Sequence, residues 1–327
     1  MKSLVVLIGV TLALAALSTG RAAAQATDYP TRTVTIIAPS APGGLFSLFA
    51  RLIATKLEQR LGRTFVVENK PGAGTILGTL ATIRSPHDGY TLMVANSTTL
   101  AINPTLHKLL PYDPADLAPI MLIARIPQVL VVNAALPVHS IADLVKLAKS
   151  TPGGLSYGTA GAGTAQHLDA EMLKGILDIP MTHVPYKGMA PALSDVAGGH
   201  IPMMFSVIPQ ALPLIQAGKL RTLGVTTTQR IEPIPEVPPL AEIGVPGFNA
   251  STWFMLVAPA KTPRAVVDRL HAELRDFNSD PAVREELVRQ GLMPMVSPPP
   301  EALKEFVRSE TMRFDKVVRQ AGLAASQ

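Results

Sequence analysis

The sequence predicts an α/β fold, and two local observations carry that prediction. Strand-like runs alternate with helix-like runs along most of the chain, and Gly/Pro clusters punctuate them. Parallel sheets covered by helices are the expected arrangement. Length is the third observation: 327 residues suggest about two domains, with a core large enough to need no disulfide. Cysteine is absent, so no disulfide, thiolate nucleophile or zinc–thiolate site is possible.

Taken in order, the chain opens "MKSLVVLIGVTLALAALSTGRAAAQATDYP". One lysine, an apolar run from Leu4 to Leu17 and an Ala24-Gln25-Ala26 pattern predict a signal peptide over 1–26, cleaved near Ala26. The apolar run falls short of the about 18–20 residues that a spanning helix needs, so a mature, soluble, exported protein is expected. "TVTIIAP" then reads as a strand and 45–61 as a helix, with Leu45, Leu48, Phe49, Leu52, Ile53 and Leu57 at helical spacing. "FVVEN", a helix near 75–83 and "YTLMVAN" continue the alternation. "QVLVVN", a helix over 140–149, "LSYGTA", a helix over 165–177 and "MTHVPY" follow, and after them a helix over 189–197, "IPMMFS" and "LRTLGVT". The Pro-rich stretch 231–248 carries interspersed apolar residues and reads as an ordered loop. Trp253 and Phe254 lie in an apolar strand whose default role is packing. The tail from Pro263 is helical, with Pro281 and Pro300 near helix starts, where a missing N–H does no harm.

The formal charge is +5, and removing Lys2 and Arg21 with the leader lowers it to +3. The basic residues are scattered without interleaved aromatics, so nucleic acid is not an expected partner.

Two strand-to-helix turns stand out. In "IIAPSAPGGLFSLFARLIATKL" Gly43 and Gly44 precede a helix, and in "LSYGTAGAGTAQHLDAEMLKGIL" Gly161 and Gly163 do the same, with Thr164 read as the N-cap. A helix N-terminus presents unpaired N–H donors and about half a positive charge, which suits a carboxylate or phosphate. Neither turn is a nucleotide loop: "GAGTAQ" lacks the third glycine, and neither contains Gly-Lys-Ser/Thr. On pattern alone, each is equally an ordinary α/β turn. No G-x-S-x-G elbow and no H-E-x-x-H occurs. His167 and Glu171 have metal-compatible i, i+4 spacing but no evident third ligand, and His183 reads as a strand-end histidine. Neither an enzyme, a metal site nor a cofactor is therefore expected.

These motifs jointly resemble the extracytoplasmic receptors of tripartite tricarboxylate transporters, the Bug family. The resemblance runs from Tyr29 to Gly322 through "YPTRTVTIIAPSAPGG", "FVVENKPGAGTILG", "HDGYTLMVANST", "INPTLHKLLPYDPADLAPI", "THVPYKGMAPALSDVAGGHIPMMF" and "STWFMLVAPAKTP". It implies a two-lobed type II periplasmic binding protein, a Venus flytrap with a mixed sheet in each lobe. Lobe one would comprise 27–124 and 251–327, and lobe two 125–250, with hinges near Ala124 and Ser251. It further implies a monomer that closes on a small carboxylate and delivers it to membrane permease subunits. Mapped onto this chain, the first-lobe loop is Pro42, Gly43, Gly44, Leu45, Phe46 and Ser47, supported by Ser97 and Thr98. The second-lobe loop is Gly161, Ala162, Gly163 and Thr164, with His167 just beyond, and Tyr186 and Ser206 close the far wall. The amides of Gly44 to Phe46 and of Gly161 to Thr164 would each grip one end of the ligand.

Two departures bear on the ligand. The family usually carries an acidic residue where Ser47 stands, and often an Asp where Ser206 stands. Without them an ammonium group lacks its partner, which argues against an amino acid. Phe46 offers either an apolar wall or helix-start packing, so an aromatic or longer-chain acid, or a dicarboxylic acid, is the expected ligand. A sensor accessory to a membrane kinase is the alternative role, and an exported enzyme the last.

Overall fold

The computed structural model describes residues 28–326, so the leader and its cleavage near Ala26 lie outside the described residues. Strand β1 (Val34–Ala38) leads into helix α1 (Leu45–Leu61), which buries Phe49, Ile53 and Leu57. The helix stops at Gly62, whose left-handed φ of 63° lets its N–H bond Glu58 O. Strand β2 (Phe65–Asn69), helix α2 (Ile76–Ile83), strand β3 (Thr91–Asn96) and the short helix α3 (Asn103–Leu106) follow.

Strand β4 (Leu117–Ile126) is not announced by periodicity. Leu117 to Ala124 are buried without alternation, and Pro119 inside the run argues locally against a strand. Pro127 alone separates β4 from β5 (Gln128–Asn133). Then come α4 (Ile141–Ser150), β6 (Leu155–Thr159), α5 (Ala165–Leu177), β7 (Met181–Pro185), α6 (Met189–Gly198), β8 (Met203–Val207), α7 (Ile208–Gln216) and β9 (Leu220–Val225). Helix α7 escapes the sequence pattern because Pro209 and Pro213 interrupt it. The Pro-rich stretch sends Ile231, Ile234 and Val237 into one core and Leu240, Val245 and Phe248 into another. The chain ends with β10 (Thr252–Pro259), α8 (Arg264–Glu273), α9 (Pro281–Arg289), the two-residue β11 (Met293–Pro294) and α10 (Pro300–Gln320).

The strands form two sheets, ordered β11-β4-β10-β3-β1-β2 and β7-β6-β8-β5-β9. Both are mixed, which corrects the parallel arrangement that alternation alone predicts. β10 runs antiparallel to β3 and β4, and β5 runs antiparallel to β8 and β9. Two of the reversed strands, β5 and β10, have just crossed between sheets; the third, the two-residue β11, pairs antiparallel with β4 at the sheet's edge. A strand leaving one sheet at its carboxyl edge and continuing straight on enters the next sheet at that sheet's carboxyl edge, hence in the opposite direction. Each sheet is buried on both faces: along β10, Phe254, Leu256 and Ala258 face one core while Trp253, Met255 and Val257 face another. This is a two-lobed α/β molecule.

Asp280 ties the last helices to the first. Its Oδ1 accepts the N–H groups of Ala282 (3.0 Å) and Val283 (3.4 Å) at the start of α9, and its Oδ2 takes Lys56 Nζ of α1 at 2.7 Å. The Lys56 bond holds the Asp280 carboxyl below its usual range. Asp280→Ala is expected to cost about 1 kcal/mol, the usual value of a lost N-cap, read as a lower urea midpoint.

Candidate functional site

Strand direction decides where the loops point. β1 and β3 are parallel, and Asn96 of β3 and Ala124 of β4 both lie opposite Phe254. The carboxyl ends of β1, β3 and β4 therefore share the edge from which the chain crosses at Pro127. In the second sheet Gln128 lies opposite Val207, and β6 and β7 run parallel with β8. The carboxyl ends of β6, β7 and β8 thus lie at the edge where β5 enters. Both glycine loops leave their strands at the edges nearest the crossings, where ligands of open α/β sheets bind.

In the first lobe, Pro42, Gly43 and Gly44 are exposed, and Leu45 and Phe46 are half-buried. Gly43 has φ +90°, a conformation that selects glycine, whereas Gly44 has φ −81°, which any residue adopts. The first intrahelical bond of α1 runs from Leu48 N–H to Gly44 O. Among the described residues, the N–H groups of Gly44 to Ser47 therefore take no partner. Ser47 is fully buried, and its Oγ accepts a 2.6 Å bond from Asn69 Nδ2, which also donates to Ser40 O at 2.9 Å. Asn69 at the end of β2 thus braces the turn. Phe46 packs edge-to-face on Phe254, with centroids 4.9 Å apart, so helix-start packing is the role its geometry displays.

Sequence reasoning missed the neighbouring loop. Gly72 to Thr75 all have positive φ, including Thr75 at +84°, which is rare for a β-branched residue. The Thr75 hydroxyl meets that of Thr99 at 2.8 Å, and Thr99 N–H donates to Asn96 Oδ1 at 3.0 Å. Strain of this kind gathers at functional sites. Beside it, Ser97 is buried and its Oγ has no hydrogen-bond partner, while Thr98 Oγ1 accepts a long 3.4 Å bond from Asn96. An orphaned buried hydroxyl at a strand's carboxyl end is a group awaiting an acceptor.

In the second lobe the turn is self-bonded, which corrects the expectation for its amides. Gly161 N–H donates to Thr159 Oγ1 (3.1 Å), Gly163 N–H to His167 Nδ1 (3.1 Å) and Thr164 N–H to Gly161 O (3.4 Å). The Thr164 hydroxyl donates to Gly161 O at 2.7 Å rather than capping α5. Within this turn and the first turn of α5, the N–H groups left without a partner among the described residues are those of Ala162, Ala165, Gln166 and His167. Tyr186 follows β7; its N–H donates to Thr159 O at 3.0 Å, and its hydroxyl donates to Asp195 Oδ2 at 2.6 Å. Partial burial and the Asp195 carboxylate push the phenol up to about 12. Ser206, opposite Val129 near the end of β8, is buried and donates to Val207 O at 3.1 Å. The structure thus gathers Gly161, Gly163, Thr164, His167 and Tyr186 at one turn. Among the described residues, no group of three or more His, Asp or Glu is placed to hold a metal.

Two α/β lobes joined by two chain crossings, the first direct through Pro127, with open helix N-termini at the edges beside them, define a periplasmic-type solute-binding protein. The chain belongs to the tripartite tricarboxylate transporter family receptors, whose family model matches residues 49–323. Protein BugT of Bordetella pertussis (strain Tohama I) is 34% identical over 324 residues, covering 98% of this chain and 98% of that protein. A solved R. palustris protein with adipate is 36% identical, with a TM-score of 0.75 over 90% of this chain and 99% of that one. MatC from Rhodopseudomonas palustris, with bound malate, is 30% identical, with a TM-score of 0.71 over 89% and 100%.

Proposed function

We propose that this receptor, exported to the periplasm and cleaved near Ala26, captures a dicarboxylic acid between its lobes and presents it to the permease subunits of its transporter. It acts as a monomer, without cofactor and without catalysis. The lobes divide near Ala124 and Ser251 and close about the two crossings. The observation that carries this reading is the pair of N-terminal helix turns, α1 and α5, whose free amides lie at the edges beside the crossings, with the Ser97 hydroxyl unpartnered at the first. Each end suits one carboxylate. A charge-assisted hydrogen bond contributes about 1.5–3 kcal/mol, so two or three at each end support micromolar binding. Adipate and malate in the solved relatives are both dicarboxylic acids, which supports the same class here. Ser47 and Ser206 offer no carboxylate to an ammonium group, which disfavours amino acids.

A thermal-shift screen of the mature protein tests this, using adipate, malate, longer and aromatic mono- and dicarboxylates, aspartate and glutamate. At a hundredfold excess over Kd a ligand stabilises by about 2.7 kcal/mol. Dicarboxylates are expected to raise the Tm and amino acids to leave it unchanged. A response to aspartate or glutamate alone overturns the ligand class.

A further inference from the structure

Beneath the second-lobe turn lies a side-chain stack that two free helix ends do not by themselves require. The His167 and His183 rings lie 3.8 Å apart at 14°, and Tyr157 extends the stack over His183 at 5.2 Å. His167 Nδ1 accepts the Gly163 N–H at 3.1 Å. His183 Nε2 sits 2.6 Å from Thr159 Oγ1, and that hydroxyl accepts the Gly161 N–H at 3.1 Å. Each glycine of the turn is therefore tied to one imidazole, the first through a threonine and the second directly.

We propose that His167 and His183 are positioning residues: the stacked pair holds Gly161 and Gly163 in the shape that leaves the amides of Ala162 and of the first turn of α5 open to a ligand carboxylate. The proposal rests on the carboxylate reading above. It also assigns the purpose of the stack, which is to be uncharged. A nitrogen that accepts an N–H carries no proton, and protonating it would set two donors against each other and a cation against the facing ring. Burial, and then the facing His183, push His167 down to about 4, and burial lowers His183. The other charged groups near the pair are Glu171 and Lys174 on α5 itself, 3.3 Å apart. From β6, Tyr157 donates its hydroxyl to Glu171 at 2.5 Å. Helix α10, packed against α5, brings Arg313 toward Asp169. With these partners engaged, the pair stays neutral through the physiological range, and capture fails as His167 gains a proton toward pH 4.

The test uses the mature protein and adipate as probe. His167→Phe keeps the stack and removes the acceptor, whereas His167→Asn places an amide oxygen where Nδ1 stands. At pH 8, calorimetry is expected to show His167→Phe about tenfold weaker, the value of one oriented hydrogen bond, with His167→Asn near wild type. Below pH 5 the wild type is expected to lose affinity relative to His167→Asn, a ratio from which the ligand's own titration cancels. In the unliganded protein, nitrogen NMR is expected to show an unprotonated His167 Nδ1 and a Gly163 amide slow to exchange. If the wild type binds adipate and His167→Phe binds it equally, the positioning role is overturned while the carboxylate reading stands. If the wild type binds no carboxylate, that reading fails, and a protonated Nδ1 or a fast-exchanging Gly163 amide independently overturns the hold.

Discussion

Gly44→Val is expected to weaken dicarboxylate capture by at least about a hundredfold while the fold persists, because one or two charge-assisted bonds are lost. The backbone does not require glycine here: φ is −81° and ψ 175°, extended values open to every residue. A Cβ built on Gly44 meets only Ser40 Oγ at 3.5 Å and Ala41 O at 3.8 Å, which is ordinary contact. Valine at an N-cap costs about 1 kcal/mol, a shift of a few degrees in Tm. Valine is expected to crowd a ligand carboxylate away from the open amides of Leu45, Phe46 and Ser47 that follow it. Gly43→Val is the contrasting control, since its φ of +90° strains any side chain and must lower stability as well as binding. Calorimetry with adipate, beside a melt of each variant, separates the two. Unchanged affinity in Gly44→Val removes this loop from the site.

Most helices were legible because an amphipathic stripe is a local property. The stripe through Phe49, Ile53 and Leu57 marks α1 before any neighbour is known, and the turn at Gly43-Gly44 marks its start. Strand direction was not legible, because no window of sequence records which edge a chain enters. Nor was β4, buried on both faces and interrupted by Pro119, since a continuous apolar run has no period to read. At the site, the glycines announced themselves but their partners did not. Asn69 lies 22 positions from Ser47, and His183 lies 24 from Thr159. Such pairs are made by the parallel registers β1–β2 and β6–β7, which exist only once the sheets do. His183 looked like a routine strand-end residue because its role depends on the ring stacked upon it.

The second large effect lies where α5 meets the crossing. Asp169 is 2% exposed, and its Oδ2 accepts a 2.5 Å bond from Gln128 Nε2 on the first residue of β5. Gln166 Nε2 donates to Gln128 Oε1 at 2.9 Å, so the start of α5 is anchored to the strand that has just left the other lobe. Burial raises the Asp169 carboxyl well above its ordinary value, and Arg313 only partly opposes this. The sign then follows from proton counting. Above pH 3.8 the unfolded chain gives up this proton while the folded chain keeps it, so stability falls as pH rises through the folded value. His167 acts the other way: between pH 6.5 and about 4 the unfolded state binds the extra proton, so stability falls as pH drops. Asp169→Asn keeps an acceptor for Gln128 and removes the charge, and is expected to raise stability by about 1–3 kcal/mol at pH 8. At pH 4 the gain should vanish, because the wild-type carboxyl is then already protonated. Urea melts of the two proteins at both pH values decide it. A gain of equal size at pH 4 and pH 8 means that folding does not raise the Asp169 carboxyl, and overturns the reading that the fold keeps its proton.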